Sequence, residues 1–375
     1  MTTSALDVPA GLNGVAVAAT TLGDVRGEEG FFHYRQYDAT QLARTRSFED
    51  VWFLFTAGRL PDPDELAAFR AEIVQHRRVP PSLRPVIDAV AATPASPLAR
   101  LRTVLSASAG PLDLRPLVDL DPDSRTSQAH TVAAVTPAVL AALHRAASGL
   151  DPIEPDPALG HVAAYLYEST GERPAPEAIR ALEQYLILTV DHGFNASTFT
   201  ARVVASTGAD LADVVSAAAG ALSGPLHGGA PSRALDALDA IGTPDRAADY
   251  VRSEIAAGRR IMGFGHPVYR APDPRSTLLR EVALGLGGEL VGRAVEVEAA
   301  ILATLAELKP DRPLPSNVEY YAGVVMATLG LPREMFTPTF AVSRVVGWTA
   351  HAVEQAAAGK VIRPGSRYIG PAVER

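Results

Sequence analysis

Glu177-Ala-Ile-Arg-Ala-Leu-Glu-Gln-Tyr-Leu-Ile-Leu-Thr-Val-Asp191 carries apolar residues at Ile179, Leu182, Leu186 and Val190. Steps of three and four match the period of an α-helix, not the alternation of a strand. The pattern recurs on both sides. Ser47-Phe-Glu-Asp50 is a capping-box-like start for a helix ending before Gly58. Pro61-Asp-Pro-Asp64 opens a helix over 65–76, with Leu66, Phe69 and Ile73 on one face. Further helices are predicted over 83–91, 98–109, 129–147, 211–222, 232–238, 245–257, 276–284, 293–308 and 319–329. Residues 336–358 read as one long buried helix or two in tandem. Only 15–22 and 31–37 look strand-like, joined by a Gly- and charge-rich turn. Residues 119–127 read as an exposed turn and 151–157 as a Pro-rich loop. The expected class is mostly α with a small N-terminal β element; strands are too few for a doubly wound sheet.

The 375 residues suffice for one large domain or two to three smaller ones. With 47% apolar and 20% charged residues, the chain can bury a large core. Its net charge of −8 argues against binding nucleic acid by bulk charge, while leaving room for a local basic pocket. There is no cysteine, which excludes disulfides, thiol catalysis and Cys-ligated zinc. No two of the nine histidines stand four apart, so no metal site is expected. The apolar run 131–143 is too short to span a membrane, and the first residues show no leader pattern. A cytoplasmic protein without membrane or nucleic-acid partners is expected. Only two of the 34 basic residues are lysines, Lys309 and Lys360, so arginine is the default cation and position must carry any argument.

Four clusters could carry chemistry. Asp191-His-Gly-Phe-Asn-Ala-Ser-Thr198 crowds polar groups at a helix C-terminus, where it also reads as a plain cap and turn. In Gly224-Pro-Leu-His-Gly-Gly229, His227 sits at a helix start, which keeps an imidazole neutral; a turn histidine is the bland alternative. Ile261-Met-Gly-Phe-Gly-His-Pro-Val-Tyr-Arg-Ala-Pro-Asp-Pro-Arg275 has too much Gly and Pro for a helix or strand. It holds His266, Arg270 and Arg275, which could equally be solvated side chains of a surface turn. The last cluster joins Ser316-Asn-Val-Glu-Tyr-Tyr321 to Arg344 and Arg363. Glu319 falls in the first turn of a helix, a favourable charge–dipole position in its own right. Arg344 lies among apolar residues and should meet an anion, either a structural carboxylate or a ligand. Several His and Arg with one carboxylate suit acid–base chemistry on a small polycarboxylate, without choosing a reaction.

At these clusters the chain resembles the citrate synthase family. The likeness rests on the segments 191–202, 220–229, 261–270, 273–275, 317–321 and 340–351. Gly11-Leu-Asn-Gly-Val15 and Tyr34-Arg-Gln-Tyr-Asp38 match the family's opening, so it runs from about 11 to 371 in the family's order. It implies a citrate synthase-like two-domain helical fold and a homodimer. The large domain is expected over 1–221 and 325–375, and a small domain with catalytic loops over 222–324. The implied reaction condenses acetyl-CoA with oxaloacetate to citrate and free CoA, with the thioester as co-substrate and no other cofactor. His227 would stabilise the enolate, His266 would donate to the oxaloacetate carbonyl and Glu319 would remove the α-proton. His192, Arg275 and Arg344 would bind oxaloacetate. Arg363 would reach the partner's site, and Arg270 is a weaker candidate for a CoA phosphate.

Citrate synthase is the leading reading and 2-methylcitrate synthase, which uses propionyl-CoA, its nearest rival; an impaired homologue that only binds CoA or oxaloacetate has Glu319 in its favour and both histidines and the arginines against it. Two residues depart from the family. Glu319 stands where Asp is usual; a base displaced by about 1 Å can lose about 10²-fold in rate. Gln36 stands where Gly is frequent. The chain shows no long N-terminal extension of the kind NADH-regulated members carry, so a dimer without that regulation is expected.

Overall fold

The computed structural model describes residues 8–371 apart from 226, 228–229, 267–268 and 270. Three short strands form an antiparallel sheet in the order β1 (Gly23–Arg26), β2 (Phe31–Tyr34), β3 (Tyr37–Asp38). The strand expected over 15–22 is absent: these residues are irregular as far as Thr20 and bend at 21–22. Apolar alternation does not make a strand without a neighbour to pair with. The expected strand over 31–37 is split by a turn in which Arg35 takes φ 51°.

All other regular structure among the described residues is helical. Asp38 caps α1 (Ala39–Thr45), and Ser47 with Asp50 forms a full capping box on α2 (Phe48–Ala57). Asp62 and Glu65 do the same for α3 (Pro63–His76). After α4 (Arg84–Ala91) and α5 (Pro97–Ser106) comes α6 (Pro122–Ala147). Here the expected exposed turn over 119–127 is overturned. Asp121 is an N-cap and Pro122 occupies the first helical position, where a missing N–H costs nothing. The middle of α6, from Ala129 to Leu143, is largely buried despite Pro137. No helix among the described residues is long and apolar enough to cross a membrane.

Two helices were not legible in the sequence, α7 (His161–Thr170) and α9 (Ala196–Ser206). Between them lies α8 (Pro176–Thr189), the helix expected from the spacing of Ile179, Leu182 and Leu186. Then follow α10 (Leu211–Leu222), α11 (Ala230–Ile241), α12 (Ala247–Ala256), α13 (Pro274–Leu286), α14 (Glu289–Leu308), α15 (Val318–Thr328) and α16 (Phe336–Ala358). The last is a single helix. Val342, Val345, Val346 and Trp348 make its buried stripe, and it packs on α6, α8, α9 and α10. Gly347 permits that approach: a Cβ there would stand 2.2 Å from the Val190 carbonyl oxygen. The segment just beyond α8, which carries His192, is thereby held against α16.

Candidate active site

Arg344 on α16 is 2% exposed, and no carboxylate of a described residue forms an ion pair with it. Its Nε donates to the Thr189 carbonyl oxygen at 2.8 Å, satisfying one of the free carbonyls at the end of α8. Its guanidinium lies 4.6 Å from the centre of the Phe340 ring. Burial pushes its pKa down to about 10, against the pull of Asp191. Asp191 is engaged elsewhere, 3.3 Å from His351 Nε2. His351 Nδ1 in turn accepts from Arg202, which pairs with Glu354. The structural carboxylate that could have explained Arg344 is therefore already bonded to other groups. A buried cation in this state is costly unless an anion meets it.

His192 follows Asp191, with its ring centroid 5.6 Å from that of His266. Burial and the nearby Arg275 hold its pKa well below the ordinary histidine value. Its Nε2 lies 3.0 Å from the Tyr269 hydroxyl.

The Gly- and Pro-rich loop is braced at both ends. Asp273 caps α13 and grips Arg275 in two-pronged fashion, with Nε to Oδ1 at 3.0 Å and Nη2 to Oδ2 at 2.8 Å. Asp273 Oδ2 also accepts the Val318 N–H at 3.1 Å, so one carboxylate ties α13 to the start of α15. Asn317 completes the link. Its Oδ1 accepts the Glu319 N–H at 3.0 Å and its Nδ2 donates to Gly265 O at 2.8 Å. Gly263 takes φ 85° against the Tyr320 side chain, where a Cβ would meet ring carbon at 3.1 Å. His266 and Glu319, 53 positions apart in the sequence, are thus anchored on loops bonded to each other.

His266 Nδ1 accepts the Tyr269 main-chain N–H at 3.1 Å. Nε2 lies 3.1 Å from Arg275 Nη2. Both ring nitrogens thus face N–H groups, and the ring and the guanidinium are tied to each other. Burial, then Arg275, lowers the His266 pKa to about 4, so the ring is neutral at pH 7.

His227 Nε2 accepts the Ser197 main-chain N–H at 3.3 Å and lies 2.9 Å from Ser197 Oγ. Its proton therefore sits on Nδ1, which has no partner among the described residues. Its pKa, about 4, is lowered by burial first and Arg344 second. Ser197 belongs to α9, whose N-cap Asn195 accepts the Thr198 N–H at 3.1 Å. Glu319 is the second residue of α15, and no side chain or N–H of a described residue bonds its carboxylate. Burial raises its pKa to about 7, opposed by Arg275.

The structure thus interlinks His192, His266 and Arg275 through short contacts. Arg344 and Glu319 join them through the α8 terminus and the α15 start. Arg363 is not brought to them: it is exposed on the tail beyond α16. Arg270 lies outside the described residues. Sequence reasoning missed Ser197 and Tyr269, although both stood inside segments it had singled out.

Residues 11–365 match the family model described as citrate synthase, C-terminal domain. The chain belongs to the citrate synthase family. It is 38% identical to a citrate synthase of Haloferax volcanii, with 96% of this chain and 95% of that one covered. It is 36% identical to a 2-methylcitrate synthase of Mycobacterium tuberculosis, with 97% and 91% covered. Its fold superimposes with a TM-score of 0.90 on citrate synthase from the archaeon Thermoplasma acidophilum, solved with carboxymethyl coenzyme A and oxaloacetate. That pair is 28% identical, with 98% of both chains covered. Like its relatives in the citrate synthase family, the chain is an enzyme, and the expectation of a mere binding homologue is set aside.

Proposed function

We propose that the protein condenses acetyl-CoA with oxaloacetate and releases citrate and free CoA. The observation that carries this reading is the unpaired, buried Arg344 beside two neutral histidines and a carboxyl poised near neutrality. Oxaloacetate brings two carboxylates and a keto oxygen, all acceptors at neutral pH. Arg344, Arg275 and His192 bind them. A thioester α-proton is too weakly acidic for a carboxylate alone. The Nδ1–H of His227 donates to the thioester oxygen, and one such donor contributes about 3 kcal/mol at the transition state. Glu319 takes the α-proton. The enolate carbon bonds to the keto carbon, and the oxyanion formed there is held by His266 and receives a proton from it. Water then cleaves the thioester, giving the new carboxylate and CoA thiol.

The enolate must be kept from water, so the segment 222–324 is proposed to close over the remainder as a small domain. Arg363 is proposed to serve the partner's site in a homodimer, and Arg270 a CoA phosphate. Propionyl-CoA is the second donor to consider, because the 2-methylcitrate synthase relative, at 36% identity, is as similar as the citrate synthases. One methylene discriminates by only about 1–3 kcal/mol. The test is oxaloacetate-dependent thiol release from each thioester; the protein has no cysteine to give a background. Release from acetyl-CoA at the higher kcat/KM supports the proposal. A preference for propionyl-CoA overturns the choice of donor, and no release from either overturns the reaction.

A further inference from the structure

A cleft of about 280 Å³ lies between the segment after α3, the start of α4, the second half of α6, the loop carrying Ile153, and α7. No residue assigned to the active site lines it. Liquid water takes about 30 Å³ per molecule, so the space holds about nine groups of that size. Val79, Pro81, Ala142 and Ile153 give it apolar walls. Charge comes from Arg78, Arg84, Arg145, Glu154 and Glu168.

The three arginines are lightly engaged. Arg78 is exposed and has no hydrogen-bond or ion-pair partner among the described residues. Arg84 stands 3.5 Å from Glu154, whose side chain is 85% exposed, and an ion pair so open to water contributes little. Arg145 donates its Nε to the Asp151 carbonyl oxygen, and no carboxylate of a described residue pairs with it. Glu168 is the opposite case. It is 5% exposed, and its Oε1 is buried without a donor among the described residues. Arg77, whose charge acts on it, is bonded instead to Gly160 O at 3.0 Å and Asp156 O at 3.1 Å. A buried acceptor left unmet is costly and uncommon. Apolar walls with a few convergent polar groups are the usual make-up of a small-molecule site.

We propose that this cleft is a second binding site, for a small organic anion that carries a hydroxyl. Its phosphate or carboxylate groups meet Arg78, Arg84 and Arg145, because the guanidinium fork matches either geometry. Its hydroxyl donates to Glu168 Oε1. A bare anion leaves that acceptor unmet and still faces the charges of Glu154 and Glu168. The site is independent of the reaction proposed above, since the two share no residue.

The test is titration calorimetry on the full-length protein at pH 7. Glycerol 3-phosphate and citrate are the probes, each set against its counterpart without hydroxyl, propyl phosphate and tricarballylate. At least one hydroxylated probe should bind with a Kd below about 1 mM, and about tenfold or more tighter than its counterpart. Which of the two does so tells a hydroxylated phosphate from a hydroxylated carboxylate. Arg78→Ala and Arg84→Ala leave the core untouched and should each weaken that binding about tenfold. Glu168→Leu should abolish the advantage of the hydroxyl, while Glu168→Gln, which keeps an acceptor, should retain it. Arg344→Met should bind the probe as wild type does. No binding of either probe overturns the proposal and leaves the cleft to water. Equal affinity for the counterparts overturns it too. So does binding that is lost in Arg344→Met and kept in both the Arg78 and Arg84 variants, which puts the probe in the active site.

Discussion

Replacing Arg344 by Met separates what this residue costs the fold from what it contributes to binding. The guanidinium is 2% exposed and its pKa falls to about 10. A drop of that size from the ordinary value is about 3 kcal/mol of unfavourable burial of the charged form. At pH 7 the group is charged in both folded and unfolded chains, so the whole penalty is present. Met fills a similar volume without charge. Its gain is offset by the lost bond to Thr189 O, about 1 kcal/mol, and by the lost cation–π contact with Phe340, of the same order. The net is a ligand-free protein at least as stable as wild type, by up to about 1 kcal/mol. Oxaloacetate binding should weaken by about 2–5 kcal/mol, the range for one partner of a buried charge pair. The assay is thermal unfolding with and without oxaloacetate, alongside the KM from thiol release. Wild type should gain stability from the ligand through linkage, and Arg344→Met should gain almost none. A variant that melts several degrees lower without ligand, yet still responds to oxaloacetate, would refute the reasoning and make Arg344 a structural cation.

Three other outcomes follow from the same geometry. Glu319 must be ionised to take a proton, and its pKa is raised to about 7 while His227 and His266 lie near 4. So kcat/KM should climb with pH through about 7 and level off above it; a flat profile from pH 5.5 to 8.5 contradicts this. Buried Glu168 has an unpartnered Oε1 and a pKa raised to about 7. The folded state therefore binds this proton more tightly, and stability is lost as pH rises from the unfolded value through 7. Glu168→Gln should be more stable than wild type by up to about 3 kcal/mol at pH 8 and no different below about pH 4, read by urea unfolding. Asn317→Ala loses the α15 cap and the bond to Gly265 O, and should cost about 1–2 kcal/mol in urea unfolding together with a fall in kcat. Unchanged stability and kcat would show that the brace between the two loops is dispensable.

The helices with a clean three–four period, such as α8 and α16, were legible because their burial is set by their own residues. Those that escaped notice start inside apparent loops. Asp191 to Asn195 reads as a cap and turn, and Asn195 does end it, but as the N-cap of α9. Gly160 begins α7 without a side-chain cap, so no start signal was there to find. Pro122 looked like a breaker and is a helix opener. In the site, the segments carrying His192, His227, His266 and Glu319 were visible as polar groups among glycines and prolines. Their protonation was not. The Nε2 lone pair of His227 is set by Ser197, 30 positions away, and His192 meets a hydroxyl 77 positions away. The missing carboxylate partner of Arg344 likewise depends on Asp191 being engaged by His351, across 160 positions. Such pairings come from packing, and no local spacing encodes them.

The central claim is that Glu319 removes the α-proton of the acyl thioester. The direct measurement is oxaloacetate-dependent thiol release by Glu319→Gln, which keeps the size of the side chain and removes its basicity. The account predicts a fall in kcat of about 10²–10⁴-fold with oxaloacetate binding retained. Turnover equal to wild type would contradict it.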